Sequence, residues 1–208
     1  MAFDEPEIRV LFPVPLVTIR IQGADELNAR LLDEIAQRQT KEPGIDRSNR
    51  YGWHSALDFF DRTEPAHAEL AAEIEAIVEA ATAKLAPEKP AELEIAHEGW
   101  INVSPTHAMN APHDHPGAFW SGTYYARVPE TEPDDRLSGA IEFLDPRGSL
   151  GSSGRVETSF TRSKFTARPT AGTCFLWPGF LRHWVHPNRA SEERVSIAFN
   201  SRFLRTSS

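Results

Sequence analysis

Beyond residue 90 the chain alternates. Leu93 and Ile95 interleave with Glu92 and Glu94, and the run continues through Trp100, Ile101, Asn102 and Val103. Shorter stretches of the same texture follow at 119–128, 140–144, 159–167, 173–177 and 194–204. Successive side chains of a strand point to opposite faces, so each stretch reads as a strand with one or both faces covered. Strands that succeed one another without helices between them exclude a parallel sheet, which needs a long crossover at every step. The order predicts an antiparallel β-sandwich or barrel.

The first 90 residues differ. Ile8, Val10 and Phe12 alternate, Pro13 and Pro15 interrupt, and Val17, Ile19 and Ile21 alternate again, which predicts two short strands. Leu27, Leu31, Leu32 and Ile35 then fall at helical spacing, with Asp25 as the expected N-cap. Residues 40–52, with Pro43, Gly44, Asn49 and Gly52, read as loop. A second helix shows Leu70, Ile74, Ile77, Val78, Ala81 and Leu85 on one face. Thr63 is its expected cap, Pro65 sits in its first turn, and Pro87 and Pro90 end it. The expected class is therefore mainly β with flanking helices packed on one side. Residues 1–208 are expected to form one domain, with a Gly/Ser-rich loop at 148–154.

Composition narrows the function. With 22 Lys and Arg against 30 Asp and Glu, the net charge is −8, which argues against a nucleic-acid partner. No apolar run approaches the ~18–20 residues of a membrane span. The N-terminus carries acids where a secretory signal would be basic, then apolar. Cys174 is the single cysteine, so neither an internal disulfide nor a cysteine-based zinc site can form. A reducing cytoplasm is the expected location.

Histidine is the residue type that needs explaining. Of eight, His54, His67 and His97 read as structural or surface groups, with His67 expected on the solvated face of the second helix. His113 and His115 flank Asp114 and would share a strand face, with Asp114 turned away. Two imidazoles side by side suit a metal better than they suit each other as cations. Farther on, Pro178-Gly179 makes a turn, and His183 shares a face with Val185 while His186 points away. Eleven residues after His183 comes Arg194, with Ser196 on the same face and Val195, Ile197 and Phe199 on the opposite, apolar one. An inward arginine is costly unless it meets an anion, and guanidinium binds carboxylate as a two-pronged fork. Tyr125 and Asn102 are candidates to face the same interior, and Asp145-Pro146-Arg147 reads as a turn with a local ion pair. Cys174, in a short apolar strand, reads as buried and inert.

Taken in order, these features resemble the iron(II)/2-oxoglutarate-dependent dioxygenase superfamily. The segments that carry the resemblance include Gly52-Trp53-His54-Ser55, Trp100-Ile101-Asn102-Val103, His113-Asp114-His115-Pro116, Ser121-Gly122-Thr123-Tyr124-Tyr125, Phe175-Leu176-Trp177-Pro178, His183-Trp184-Val185 and Glu193-Arg194-Val195-Ser196. More narrowly, the chain is similar to a branch of small bacterial and phage oxygenases. The resemblance implies a double-stranded β-helix, or jelly roll, holding iron(II) and taking 2-oxoglutarate as co-substrate, with ascorbate as a supporting reductant. It implies Arg194 and Ser196 as co-substrate contacts; Tyr125 and Asn102, read as facing the same interior, are candidates for further ones. The superfamily's usual triad is two histidines and one carboxylate, the carboxylate two residues after the first histidine. Here that position is His115. Either His113, His115 and His183 bind the metal, or local distortion recruits Asp114 in place of His115. The resemblance supplies no substrate; a small molecule or a peptide is the expectation, and self-association is possible. Two rivals stay open: a cupin-like three-histidine metalloenzyme without 2-oxoglutarate, and a jelly-roll binding protein without turnover.

Overall fold

The computed structural model describes residues 5, 7–88, 90, 93–147, 158 and 161–205. The 148–154 stretch lies outside them. The chain runs β1 (Val17–Arg20), α1 (Ala24–Gln39), β2 (Asn49–Arg50), β3 (Trp53–His54), a 3-10 turn (Phe59–Asp61) and α2 (Pro65–Leu85). Then come β4 (Leu93–Ser104), β5 (Met109–His113), β6 (Trp120–Arg127), β7 (Ile141–Leu144), β8 (Lys164–Ala167), β9 (Thr173–Pro178), β10 (His183–Val185) and β11 (Arg194–Arg205).

The strands form two antiparallel sheets, one ordered β1-β9-β6-β11-β4-β3 and the other β2-β5-β10-β7-β8. This is the jelly-roll arrangement that the sequence leads one to expect. Period-two alternation sorts the larger sheet's side chains. Tyr124, Cys174, Leu176, Ile101, Val103, Val195 and Ile197 point to the face packed by α1 and α2. Their neighbours Tyr125, Phe175 and Trp177 point the other way and pack with Ile141, Phe143, Leu181 and Val185 of the smaller sheet. The central strands are thus covered on both faces, and every residue of β6 but Arg127 and of β9 but Pro178 is buried. Tyr124 ties helix to sheet, its hydroxyl donating to Asn28 Oδ1 at 2.6 Å. Gly122 lies opposite Phe199, whose ring would sit 2.2 Å from any Cβ there.

Five local expectations fail. The first strand does not form, and Ile8, Val10 and Phe12 stay more than three-quarters exposed. Pro13 and Pro15 donate no ladder bond, and no sheet edge receives the segment. Gly23, at φ 68°, and not Asp25, precedes α1; Asp25 instead puts its charge in the first turn. Glu64, not Thr63, precedes α2, with Pro65 as its first residue. The free N–H groups of Ala66 and His67 donate to the Glu34 carboxylate of α1, at 3.0 and 3.1 Å. His67 is consequently not a solvated side chain. It is 1% exposed, with Nδ1 2.7 Å from Glu34 Oε2. The reason is tertiary: the partner that makes burial affordable comes from the other helix. The expected 40–52 loop, finally, contains β2 and begins the approach to β3.

Candidate active site

The site sits between the sheets, and its first element is a cross-strand pair. His113 on β5 lies directly opposite His183 on β10. The next rung pairs Val185 with Asn110, so three residues on β5 span two on β10. This bulge turns both His113 and Asn110 inward. His115 follows just beyond β5, where its N–H donates to the Gly179 carbonyl at 2.9 Å and its carbonyl accepts from Ala118 at 3.1 Å. Those bonds hold the 115–118 turn against the turn that leads into β10.

The three rings converge. Their centroids are 4.5 Å apart for His113 and His183, 5.0 Å for His113 and His115, and 5.3 Å for His115 and His183. One nitrogen from each lies within 4.8 Å of the others, and no other set of three His, Cys, Asp or Glu among the described residues does so. The Asp114 carboxylate is not in the set. His113 Nδ1 lies 2.7 Å from the Ala111 carbonyl and His183 Nδ1 2.9 Å from the Leu181 carbonyl. A carbonyl only accepts, so each Nδ1 carries the proton and each Nε2 keeps a free lone pair. Burial, reinforced by the neighbouring imidazoles, pushes His183 down to about 3 and His115 down to about 4. Burial lowers His113 too, against the Ala111 carbonyl and Asp114. All three are neutral at neutral pH, the form in which imidazole binds a metal.

The same cavity, of about 430 Å³, has a cationic wall. Arg194 is 2% exposed, and its guanidinium reaches Ser196 Oγ at 3.5 Å and Ser104 Oγ at 3.4 Å, both long. Its Nε has no partner, and no acid lines the cavity among the described residues. Gly139, at φ 63°, leaves it room, since a Cβ there would lie 3.2 Å from Arg194 Cδ. Ser196 sits between Asn102 on β4 and Tyr125 on β6 in one rung of the sheet. The Tyr125 ring centroid is 5.8 Å from the guanidinium, and burial raises its hydroxyl so that it stays protonated. Asn102 Oδ1 and Trp177 Nε1 are also buried without partners. Buried polar atoms are normally paired, so orphans that line one cavity mark it as a place for a polar occupant. An anionic diacid beside a metal fits this set, with donors at Arg194, Ser196 and Trp177 and neutral imidazoles opposite.

Every site candidate read from the sequence lines this cavity except Asp114. His54 and His97 do not; His54 is buried behind it, and His97 bonds Ser201. Asp145 and Arg147 form only the expected local pair. Ser104, Trp100, Asn110 and Trp177 were missed. Ser104 continues the alternation of Trp100 and Asn102 and was legible from it, whereas Asn110 faces inward only because of the bulge.

Residues 98–200 match the family described as "Putative 2OG-Fe(II) oxygenase". No curated protein matches the sequence. Among solved structures, a Pseudomonas putida prolyl-4-hydroxylase is similar over 92% of this chain and 93% of its own, with a TM-score of 0.65 at 18% identity. The α-ketoglutarate-dependent epimerase SnoN of nogalamycin biosynthesis matches over 90% of this chain and 76% of its own, with a TM-score of 0.63 at 15% identity. A Trichoplax adhaerens prolyl hydroxylase matches over 89% and 82%, with a TM-score of 0.63 at 12% identity. At these identities the structures speak for the fold, and the family match speaks for the chemistry. That match spans the histidines and Arg194 and identifies this region of the chain as a 2OG-Fe(II) oxygenase domain, whose cofactors are iron(II) and 2-oxoglutarate.

Proposed function

We propose that His113, His115 and His183 hold the iron and that the cavity hydroxylates a small molecule or peptide at the expense of 2-oxoglutarate. The observation that carries this reading is the meeting of three neutral imidazoles and one buried, acid-free guanidinium in a single cavity. In this reading Arg194 receives the distal carboxylate of 2-oxoglutarate, with Ser196 and Ser104 adding hydroxyl donors. Tyr125 packs against the guanidinium and keeps water from it, and Asn102 completes the rung. Burial of His183 and Arg194 sustains these interactions in a low dielectric. Iron, when bound, would let dioxygen oxidise an unactivated C–H bond, one oxygen atom going to the substrate and the other to the succinate formed with CO2 from 2-oxoglutarate, with ascorbate as a supporting reductant.

Arg194 favours this reading over a cupin-like enzyme without 2-oxoglutarate, because a buried guanidinium without an anion is costly. Anaerobic titration with iron(II) and then 2-oxoglutarate tests it: the weak visible charge-transfer band of the chelate should appear only with both. Its absence in metal-loaded protein would remove 2-oxoglutarate from the scheme. We also place the chain in the small bacterial and phage branch, on the motifs it shares with it. A single buried thiol supports a reducing cytoplasm, and no described helix is long and apolar enough to cross a membrane. Net charge −8 supports a partner other than nucleic acid.

A further inference from the structure

Two of the three imidazoles are oriented by hydrogen bonds and the third is not. His113 and His183 each give Nδ1–H to the carbonyl two residues before them. Among the described residues nothing hydrogen-bonds the His115 ring. Apart from the other two imidazoles of the triad, the ring that meets it is that of Trp100, 5.9 Å away at 42°. Behind Trp100 stands His54, nearly parallel at 10° with centroids 5.6 Å apart. Trp100 faces the cavity from β4, two residues before Asn102, and His54 on β3 lies opposite Asn102. The three rings thus form a row from the edge strand of the larger sheet to the histidine triad.

The far end of the row is fixed. His54 is 2% exposed, and its Nδ1 is 2.6 Å from the Ser55 carbonyl. Ser55 in turn bonds β4 twice, donating its N–H to the Ile101 carbonyl at 3.0 Å and accepting the Ile101 N–H on Oγ at 2.9 Å. His115 by contrast lies in a turn, half-buried, where backbone bonds set its Cα but not its ring. A ring on a turn, free to rotate about χ1 and χ2, aims at one point only if something stops it. A tilted contact with an indole that is itself backed by a second, buried and nearly parallel ring is such a stop.

We propose that Trp100, backed by His54, is the positioning residue for His115. The third ligand is oriented by ring packing where the other two are oriented by carbonyls. The inference rests on the assignment of the three histidines as metal ligands. It makes Trp100 a determinant of metal affinity without touching the metal.

Cobalt(II) added to metal-free protein tests this, with calorimetry for affinity and the visible spectrum for coordination. Trp100→Leu should weaken cobalt binding about tenfold, the low end of what losing an outer partner of a ligand costs. Its spectrum should shift toward that of His115→Ala. Trp100→Phe, which keeps a ring, should restore most of both. In the Trp100→Leu/His115→Ala double variant the Trp100 effect should vanish, because the side chain it positions is gone. If Trp100→Leu does not fold by circular dichroism, Trp100→Met and His54→Leu read the same quantities. Wild-type affinity and spectrum in a folded Trp100 variant, or an undiminished extra loss in the double variant, would overturn the positioning role. Unchanged cobalt affinity in both His115→Ala and His183→Ala would overturn the metal assignment itself, so the two failures are distinct.

Discussion

His183 and Arg194 occupy two ends of one short stretch of chain, and each is almost wholly buried. Their substitutions should separate the two halves of the chemistry. Slow succinate formation is expected from iron(II), ascorbate, oxygen and 2-oxoglutarate without substrate, and His183→Ala, which removes a ligand from the cross-strand pair, should abolish it. Equal succinate from both proteins, once contaminating enzymes are removed, would count against a metal at this pair. Arg194→Leu should leave metal affinity intact, because no ligand is lost. Breaking a buried charge-assisted pair costs about 2–5 kcal/mol, so 2-oxoglutarate affinity should fall roughly 30-fold or more. Calorimetry on metal-loaded protein checks it, and an unchanged affinity would move the co-substrate carboxylate elsewhere.

At the scale of elements, Glu34 couples the two helices. Burial alone would raise its carboxyl, but bonds from the Ala66 N–H and from His67 hold it below the usual range. Glu34→Ala removes the cap of α2 and leaves the His67 ring buried without its partner. Losses of about 1–2 kcal/mol for the cap and 1–3 kcal/mol for an unpaired buried group bracket the expected destabilisation, to be read from denaturant midpoints. Glu142 plays the matching part on the outside of the smaller sheet. Burial would raise it, yet bonds from Lys164, Trp184, Thr166 and His186 bring it down to about 2. A carboxyl depressed on folding contributes stability above its unfolded value of 4.5 that is lost as pH falls toward 2. Glu142→Gln should therefore flatten the loss of stability between those two values, and a wild-type acid limb in the variant would show that the network carries no linkage.

Across the whole molecule, the cavity joins the sheets, so filling it should stabilise both together. A ligand that binds only the folded state at a hundredfold excess over its Kd adds about 2.7 kcal/mol. For a chain of this size each kcal/mol moves Tm by about 2–4 °C, so cobalt(II) with 2-oxoglutarate should raise Tm by roughly 5–10 °C under anaerobic conditions. Chelator should reverse the shift, and Arg194→Leu should keep the metal's share and lose the co-substrate's. A single unfolding transition that moves as one would also show that helices and sheets unfold together.

What the sequence by itself determined is what local periodicity can carry. Alternation placed β4, β6, β9 and β11 within a few residues, and helical spacing placed the apolar faces of α1 and α2. The same alternation put Arg194 and Ser196 on one face with Val195 and Ile197 on the other, because a strand has only two faces to choose from. The His-x-His pair and the distal His were legible as residue types, but alternation does not explain their meeting, since His115 lies in the turn beyond β5. Only the tertiary structure decided the rest, and in each case a distant partner or an irregular backbone is the cause. His67 is buried because Glu34 of another helix meets it, and no pattern within α2 encodes that. Asn110 faces the cavity because β5 bulges against β10. The 8–14 segment alternates like a strand and is none, since pairing requires a sheet edge and none receives it. His115 stands beside Trp100 because β4 and the turn after β5 close on the same cavity, a meeting that sequence spacing does not contain.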